Sequence, residues 1–121
     1  MRREELYLHD IVESIDAIGR FLQNIEKDEF LASDLLQSAV LNKLMIIGEA
    51  SARLSDALKL RYAQTPWKQI IGLRNLAAHV YFSIDWEAIW STVTTRLVAL
   101  RGEVAGILKT EYPDFDPGDE E

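Results

Sequence analysis

Apolar residues in this chain return every three to five positions, and that spacing leaves helices as its main building material. Leu6, Ile11, Ile15, Ile18, Leu22 and Ile25 form the first such series, with Glu and Asp between them. Their spacing is close to the 3.6-residue period that lines up side chains on one face of an α-helix. It predicts a first helix over about residues 3–25, interrupted by the polar stretch Glu26-Lys27-Asp28-Glu29. Ser33 or Asp34 can then cap a second helix, over about 34–61, by accepting a backbone N–H bond. Gly48 sits at its middle, where glycine costs about 1 kcal/mol relative to alanine unless close helix packing or a bend offsets it.

Thr65-Pro66 marks the next start. Threonine offers a capping oxygen, and proline at the first helical position gives up no useful N–H. A third helix follows over about 66–79, with Trp67, Ile70, Ile71, Leu73, Leu76 and Ala77 as its apolar residues. After a short connection at 80–84, Asp85 can cap a fourth helix. Trp86, Ile89, Trp90, Val93, Leu97, Leu100, Val104 and Leu108 make its stripe, and it ends near Thr110. Pro113 and Pro117 stop regular structure, so residues 113–121 read as an acidic disordered tail beyond a single domain of residues 1–112. Helices joined by short loops predict an all-α fold, an antiparallel four- to five-helix bundle. The one β-prone stretch, Val80-Tyr81-Phe82-Ser83-Ile84, is short and lies between two helices, so it reads as a connection.

Charge narrows the function classes. The net charge is −7, which argues against avid binding to a phosphate backbone over the whole surface. Residues 51–82 are the exception: Arg53, Lys59, Arg61, Lys68 and Arg74 stand against Asp56 alone. An anion would be drawn there, although such runs are also ordinary solvated helix faces. The absence of cysteine excludes disulfides and thiolate zinc sites and is compatible with a reducing compartment. No stretch approaches the roughly 20 apolar residues of a membrane span, and residues 1–10 lack the apolar centre of a signal peptide. The expectation is a soluble cytoplasmic protein without a membrane association.

Chemistry concentrates in Arg74-Asn75-Leu76-Ala77-Ala78-His79-Val80-Tyr81. On a regular helix Asn75 and His79 lie nearly on one face, while Arg74 and His79 are separated by about 140°. Arg74 must then reach around, or the last turn must loosen. His79 can exchange protons near neutral pH, Arg74 can hold a phosphate in its planar fork, and Asn75 can orient either group. The competing reading makes His79 an interior histidine, Arg74 a carboxylate partner and Tyr81 a loop anchor. Spacing alone does not decide between them. His9, beside Asp10, has no second metal ligand at a suitable spacing. Trp67, Trp86 and Trp90 read as core residues rather than a base-stacking platform. Asp114, Asp116 and Asp119 occupy the tail, and no Gly-rich phosphate loop, Gly-x-Ser-x-Gly or His-Glu-x-x-His occurs. Neither a metal site nor a cofactor is expected.

The run Thr65-Pro66-Trp67-Lys68-Gln69-Ile70-Ile71-Gly72-Leu73-Arg74-Asn75, continuing through His79, Tyr81, Phe82 and Asp85, resembles the core of the HepT-like HEPN family. The hallmark of that family is Arg, four residues, His, one residue, Tyr. Upstream, Asn42, Ile46-Ile47-Gly48-Glu49-Ala50 and Leu54-Ser55 resemble its second motif segment, so that the likeness covers roughly residues 5–110. Val80 departs from the pattern, which often has Asp or Glu between His and Tyr.

The resemblance implies a metal-independent endoribonuclease toxin of a type VII-like toxin–antitoxin system, with an RNA substrate and a homodimer in which two motif copies line one cleft. It implies Arg74 and His79 as the catalytic pair, Asn75 as a phosphate-binding or orienting residue, and Tyr81 as the site of AMPylation. The modifying partner would be an MntA-like minimal nucleotidyltransferase antitoxin. The alternative is a non-catalytic helical subunit that presents a nucleotide or substrate to such a nucleotidyltransferase.

Overall fold

Helix α1 (Glu4–Phe21) turns Leu8, Ile11, Ile15 and Ile18 into the core, as the first apolar series predicts. It ends short of residue 25, where Asn24 takes a φ of 61°, a left-handed conformation that asparagine tolerates better than most side chains. Leu22 and Ile25 still pack on the core from the turn. The computed structural model describes residues 2–78 and 83–119, and among these every regular element is helical.

The polar stretch after α1 is itself a short helix, α2 (Lys27–Leu31). The Glu29 carboxylate accepts the Glu26 backbone N–H at 3.0 Å, which satisfies one donor at the start of this helix. Phe30 is fully buried between α2 and later elements. At the other end of α2 the buried Gln37 amide donates to the Phe30 and Leu31 carbonyls, at 3.2 and 3.0 Å. The Phe30 carbonyl also accepts the Ser33 backbone N–H at 3.2 Å, so Gln37 adds to the bonds that close this helix end.

Ser33 caps α3 (Asp34–Ala52) as expected, its hydroxyl accepting the Leu36 N–H at 3.1 Å. The continuous helix expected over about 34–61 is in fact two. The chain breaks at Arg53–Ser55, Leu54 turns into the core, and Ser55 caps α4 (Asp56–Arg61) by accepting the Leu58 N–H. Glu4 of α1 takes the Ser55 N–H at 2.6 Å, so the break is pinned from the far end of the chain.

The third predicted helix also divides, into α5 (Trp67–Gly72) and a tight 3-10 turn (Leu73–Ala78). The fourth begins where expected: Asp85 accepts the Ala88 N–H at 3.1 Å and starts α6 (Trp86–Ser91). A π turn (Thr92–Arg96) then widens the helix before α7 (Leu97–Glu111). Ile89, Val93 and Leu97 follow one another at steps of four through this wider turn, and all three are buried.

α3 packs along α1, and α1 packs along α7, while α5 and the 3-10 turn rest on α3. The central core joins Val40, Leu44 and Ile47 of α3 to Leu8 and Ile11 of α1 and to Val104 of α7. The Arg101 guanidinium of α7 binds Asp16 of α1, at 2.6 and 3.2 Å. Beyond α7, Phe115 donates its backbone N–H to the Tyr112 carbonyl, and its ring lies 5.4 Å from that of His9. This architecture is an all-α bundle.

Candidate functional site

Most of the cations in the basic strip turn out to be engaged internally. Arg53 lies 3.0 Å from Glu49, Lys59 lies 3.9 Å from Asp56, and Arg61 reaches Glu111 of α7 at 2.7 Å. The Tyr62 hydroxyl also donates to Glu111 at 2.7 Å. That bond and the Arg61 guanidinium hold the Glu111 carboxyl below the usual carboxylate range. Lys68 and Arg74 form no ion pair with any described residue. The charge available to an anion is therefore narrower than the sequence suggests, and Arg74 carries much of it.

The segment leading to Arg74 is fixed at its start. Thr65 is buried, and its hydroxyl does not cap α5 as expected; it donates instead to Glu103 of α7 at 2.7 Å. Pro66 occupies the cap position, and the Trp67 indole N–H donates to the Tyr62 carbonyl at 3.0 Å. With Trp67 and Ile70 buried, α5 is bound to α4, α7 and the core before the chain reaches the polar residues.

At Leu73 the backbone tightens from α to 3-10 geometry. The regular helix on which Asn75 and His79 share a face therefore stops at Gly72, because a 3-10 turn rotates by about 120° per residue. Arg74 and Asn75 are both exposed on this turn. Beneath them Gly48 of α3 comes so close that a Cβ built on it would lie 2.4 Å from the Arg74 amide nitrogen and 3.1 Å from the Arg74 Cα. The structure thus brings Gly48 and Arg74 together across 26 positions of sequence. His79 and Tyr81 lie outside the described residues, as do Val80 and Phe82.

Two open clefts flank the turn. One, of about 430 Å³, lies between α5 and the π turn, with Gln69, Ile70 and Leu73 facing Thr92, Arg96 and Leu97. The other, of about 460 Å³, is lined among the described residues by Leu76, Ser83, Ile84, Asp85, Ala88 and Ile89. Sequence reasoning missed the first cleft. No local feature of the sequence signals it, because its walls come from two separate stretches, 66–73 and 92–103. The core reading of the tryptophans holds: Trp67 is buried, and Trp86 and Trp90 pack half-buried against Phe30 with ring centroids 6.1 and 5.5 Å away. Among the described residues no cluster of His, Asp and Glu is placed to hold a metal ion, and no helix is long and apolar enough to cross a membrane.

A family model described as "Ribonuclease HepT-like" matches residues 11–114, a span that includes both α3 with Gly48 and the turn with Arg74. The chain belongs to the HepT-like ribonuclease family. Among similar HepT-like sequences, a Methanocaldococcus jannaschii protein named "Putative RNase MJ1380" is 34% identical over 103 residues, covering 85% of this chain and 94% of its own. A Thermococcus cleftensis protein named "Probable ribonuclease HepT" is 33% identical over 108 residues, covering 89% of this chain and 98% of its own. No solved structure matches the chain.

Proposed function

We propose that this HepT-like protein is a metal-independent endoribonuclease toxin in which Arg74 and His79 act on the RNA phosphodiester. The observation that carries the reading is Arg74 itself. It is exposed on a tight turn, unpaired with any described residue, and separated from His79 by four residues in the sequence. A planar guanidinium in that setting suits bidentate contact with a phosphate and stabilises negative charge growing on its oxygens.

The chemistry follows from these side chains. His79, acting as base, takes the proton of the ribose 2′-OH as that oxygen attacks phosphorus, and the leaving 5′-oxygen gains a proton as its bond to phosphorus breaks. The products are a 2′,3′-cyclic phosphate and a 5′-hydroxyl. One imidazole does not serve as base and acid at the same instant. A homodimer with two copies of residues 74–81 at one cleft supplies the second. Asn75 orients the phosphate or the imidazole. Tyr81 is the control point: AMP added to its hydroxyl by a cognate MntA-like nucleotidyltransferase places a bulky anion beside the groups that hold RNA.

Incubating the purified protein with cellular RNA in EDTA tests the reading. Cleavage that leaves cyclic-phosphate ends is expected, mapped by sequencing RNA ends after pulse expression. Intact RNA with wild-type protein would favour the other reading, a non-catalytic partner subunit of a nucleotidyltransferase.

A further inference from the structure

We propose that Gly48 is the positioning residue for Arg74: by lacking a side chain it lets the backbone of the 3-10 turn lie directly on α3, and this contact sets where the guanidinium meets a phosphodiester. The inference rests on the ribonuclease reading for its functional half and on geometry alone for its structural half.

Gly48 is buried near the C-terminal end of α3 but still within the helix, where glycine is less favourable than alanine. The other helical glycines do not need to be glycine on steric grounds. A Cβ at Gly19, Gly72, Gly102 or Gly106 would meet no atom within 4 Å. At Gly48 it would meet the Arg74 amide nitrogen at 2.4 Å, with the Arg74 Cα and Cβ both at 3.1 Å. These are mainly backbone atoms, so no rotamer change removes the clash. Restoring ordinary contact requires the turn to move away from α3 by about 1 Å, in a close-packed interior that transmits such shifts. α5 is held at its start by Thr65–Glu103 and Trp67–Tyr62. Displacement is therefore channelled into the turn carrying Arg74 and Asn75. A misplacement of about 1 Å is enough to lower the rate of an oriented reaction by about 100-fold.

Gly48→Ala is expected to keep its helical content and to lower single-turnover RNA cleavage about 10- to 100-fold, whereas Gly102→Ala cleaves like wild type. The decisive comparison is a double-mutant cycle. In an Arg74→Ala background, Gly48→Ala is expected to add less than about a threefold loss, because the group it positions is already gone. A purely structural glycine would give the full additional loss, and that result, or wild-type cleavage by Gly48→Ala, overturns the proposal. Nuclear magnetic resonance separates this from failure of the ribonuclease reading. Wild-type protein is expected to show a nuclear Overhauser contact between the Gly48 Hα protons and the Arg74 amide proton, which needs neither RNA nor a folded variant. Its absence overturns the geometry. Its presence in a protein that cleaves no RNA would leave Gly48 as the seat of Arg74 and refute only the chemistry assigned to that arginine.

Discussion

Arg101 on α7 grips both carboxylate oxygens of Asp16 on α1, closing the bundle between its first and last long helices. The hydrogen bond from Arg101, aided by its charge, holds Asp16 below the usual carboxylate range against the opposing effect of burial. A carboxyl depressed in the folded state contributes stability above its unfolded pKa and loses that contribution as pH falls through the folded value. Both side chains are partly exposed, at 46% and 32%, so the pair stabilises by only about 0.2–1 kcal/mol. Arg101→Gln is therefore expected to lower Tm by about 1–4 °C at pH 7, with a smaller gap to wild type at pH 3, below the unfolded aspartate value of about 3.9. Thermal melts at both pH values check this; a gap of equal size at pH 3 would contradict the pairing.

Arg74→Ala is expected to reduce RNA cleavage by about 100-fold or more while leaving Tm within about 2 °C of wild type, since exposed residues without partners contribute about 0.5 kcal/mol or less. Arg74→Lys should remain poor, because an ammonium is a point charge and lacks the two-pronged fork. His79→Ala removes the proton carrier and is expected to cost about 100- to 10,000-fold. Rate assays paired with melting curves decide the matter. Normal cleavage by Arg74→Ala and His79→Ala would refute the assignment.

A dimer with a shared cleft makes a separate claim. Mixing wild-type chains with an excess of His79→Ala chains should lower cleavage below the share of wild-type chains present, because a mixed dimer holds one His79 imidazole where the proposed reaction uses two. Sedimentation gives the state of the active species. A monomer with full activity would end the shared-cleft idea.

Tyr81→Phe keeps the ring and removes the hydroxyl. It is expected to cleave RNA at nearly the wild-type rate and to escape a nucleotidyltransferase that silences the wild type with ATP. Peptide mass spectrometry should find added AMP on Tyr81. Modification confined to Tyr7, Tyr62 or Tyr112, or equal silencing of Tyr81→Phe, would rule this control point out.

What the sequence revealed depends on how local each cause is. Ser33 and Asp85 were legible as caps because a cap needs only an N–H three residues on, and both make that bond. The break after Ala52 was not, since it is held by Glu4 from 51 positions away. Thr65 was misread for the same reason: its partner, Glu103, lies 38 positions on. Arg74 and Asn75 could be picked out by residue type, but the tight turn beneath them rests on α3. Gly48 was visible as a costly glycine in a helix, while the neighbour that makes it necessary appears only in three dimensions.

The π turn at Thr92–Arg96 has a consequence for how this chain tolerates insertions and deletions. The Thr94 and Thr95 hydroxyls fold back onto the Trp90 and Ser91 carbonyls, at 2.7 and 2.5 Å, and help satisfy backbone groups loosened by the wider turn. A π turn holds one residue more than the α turn it replaces. Deleting one residue there would let the π turn close into an α turn and leave α6 and α7 facing the core as they do now, whereas a deletion inside α6 or α7 would rotate one part of the helix against the other by about 100°. The π turn is thus a place where chain length can change with little damage to packing on either side. A single-residue gap in a comparison of this stretch belongs there rather than inside α6 or α7.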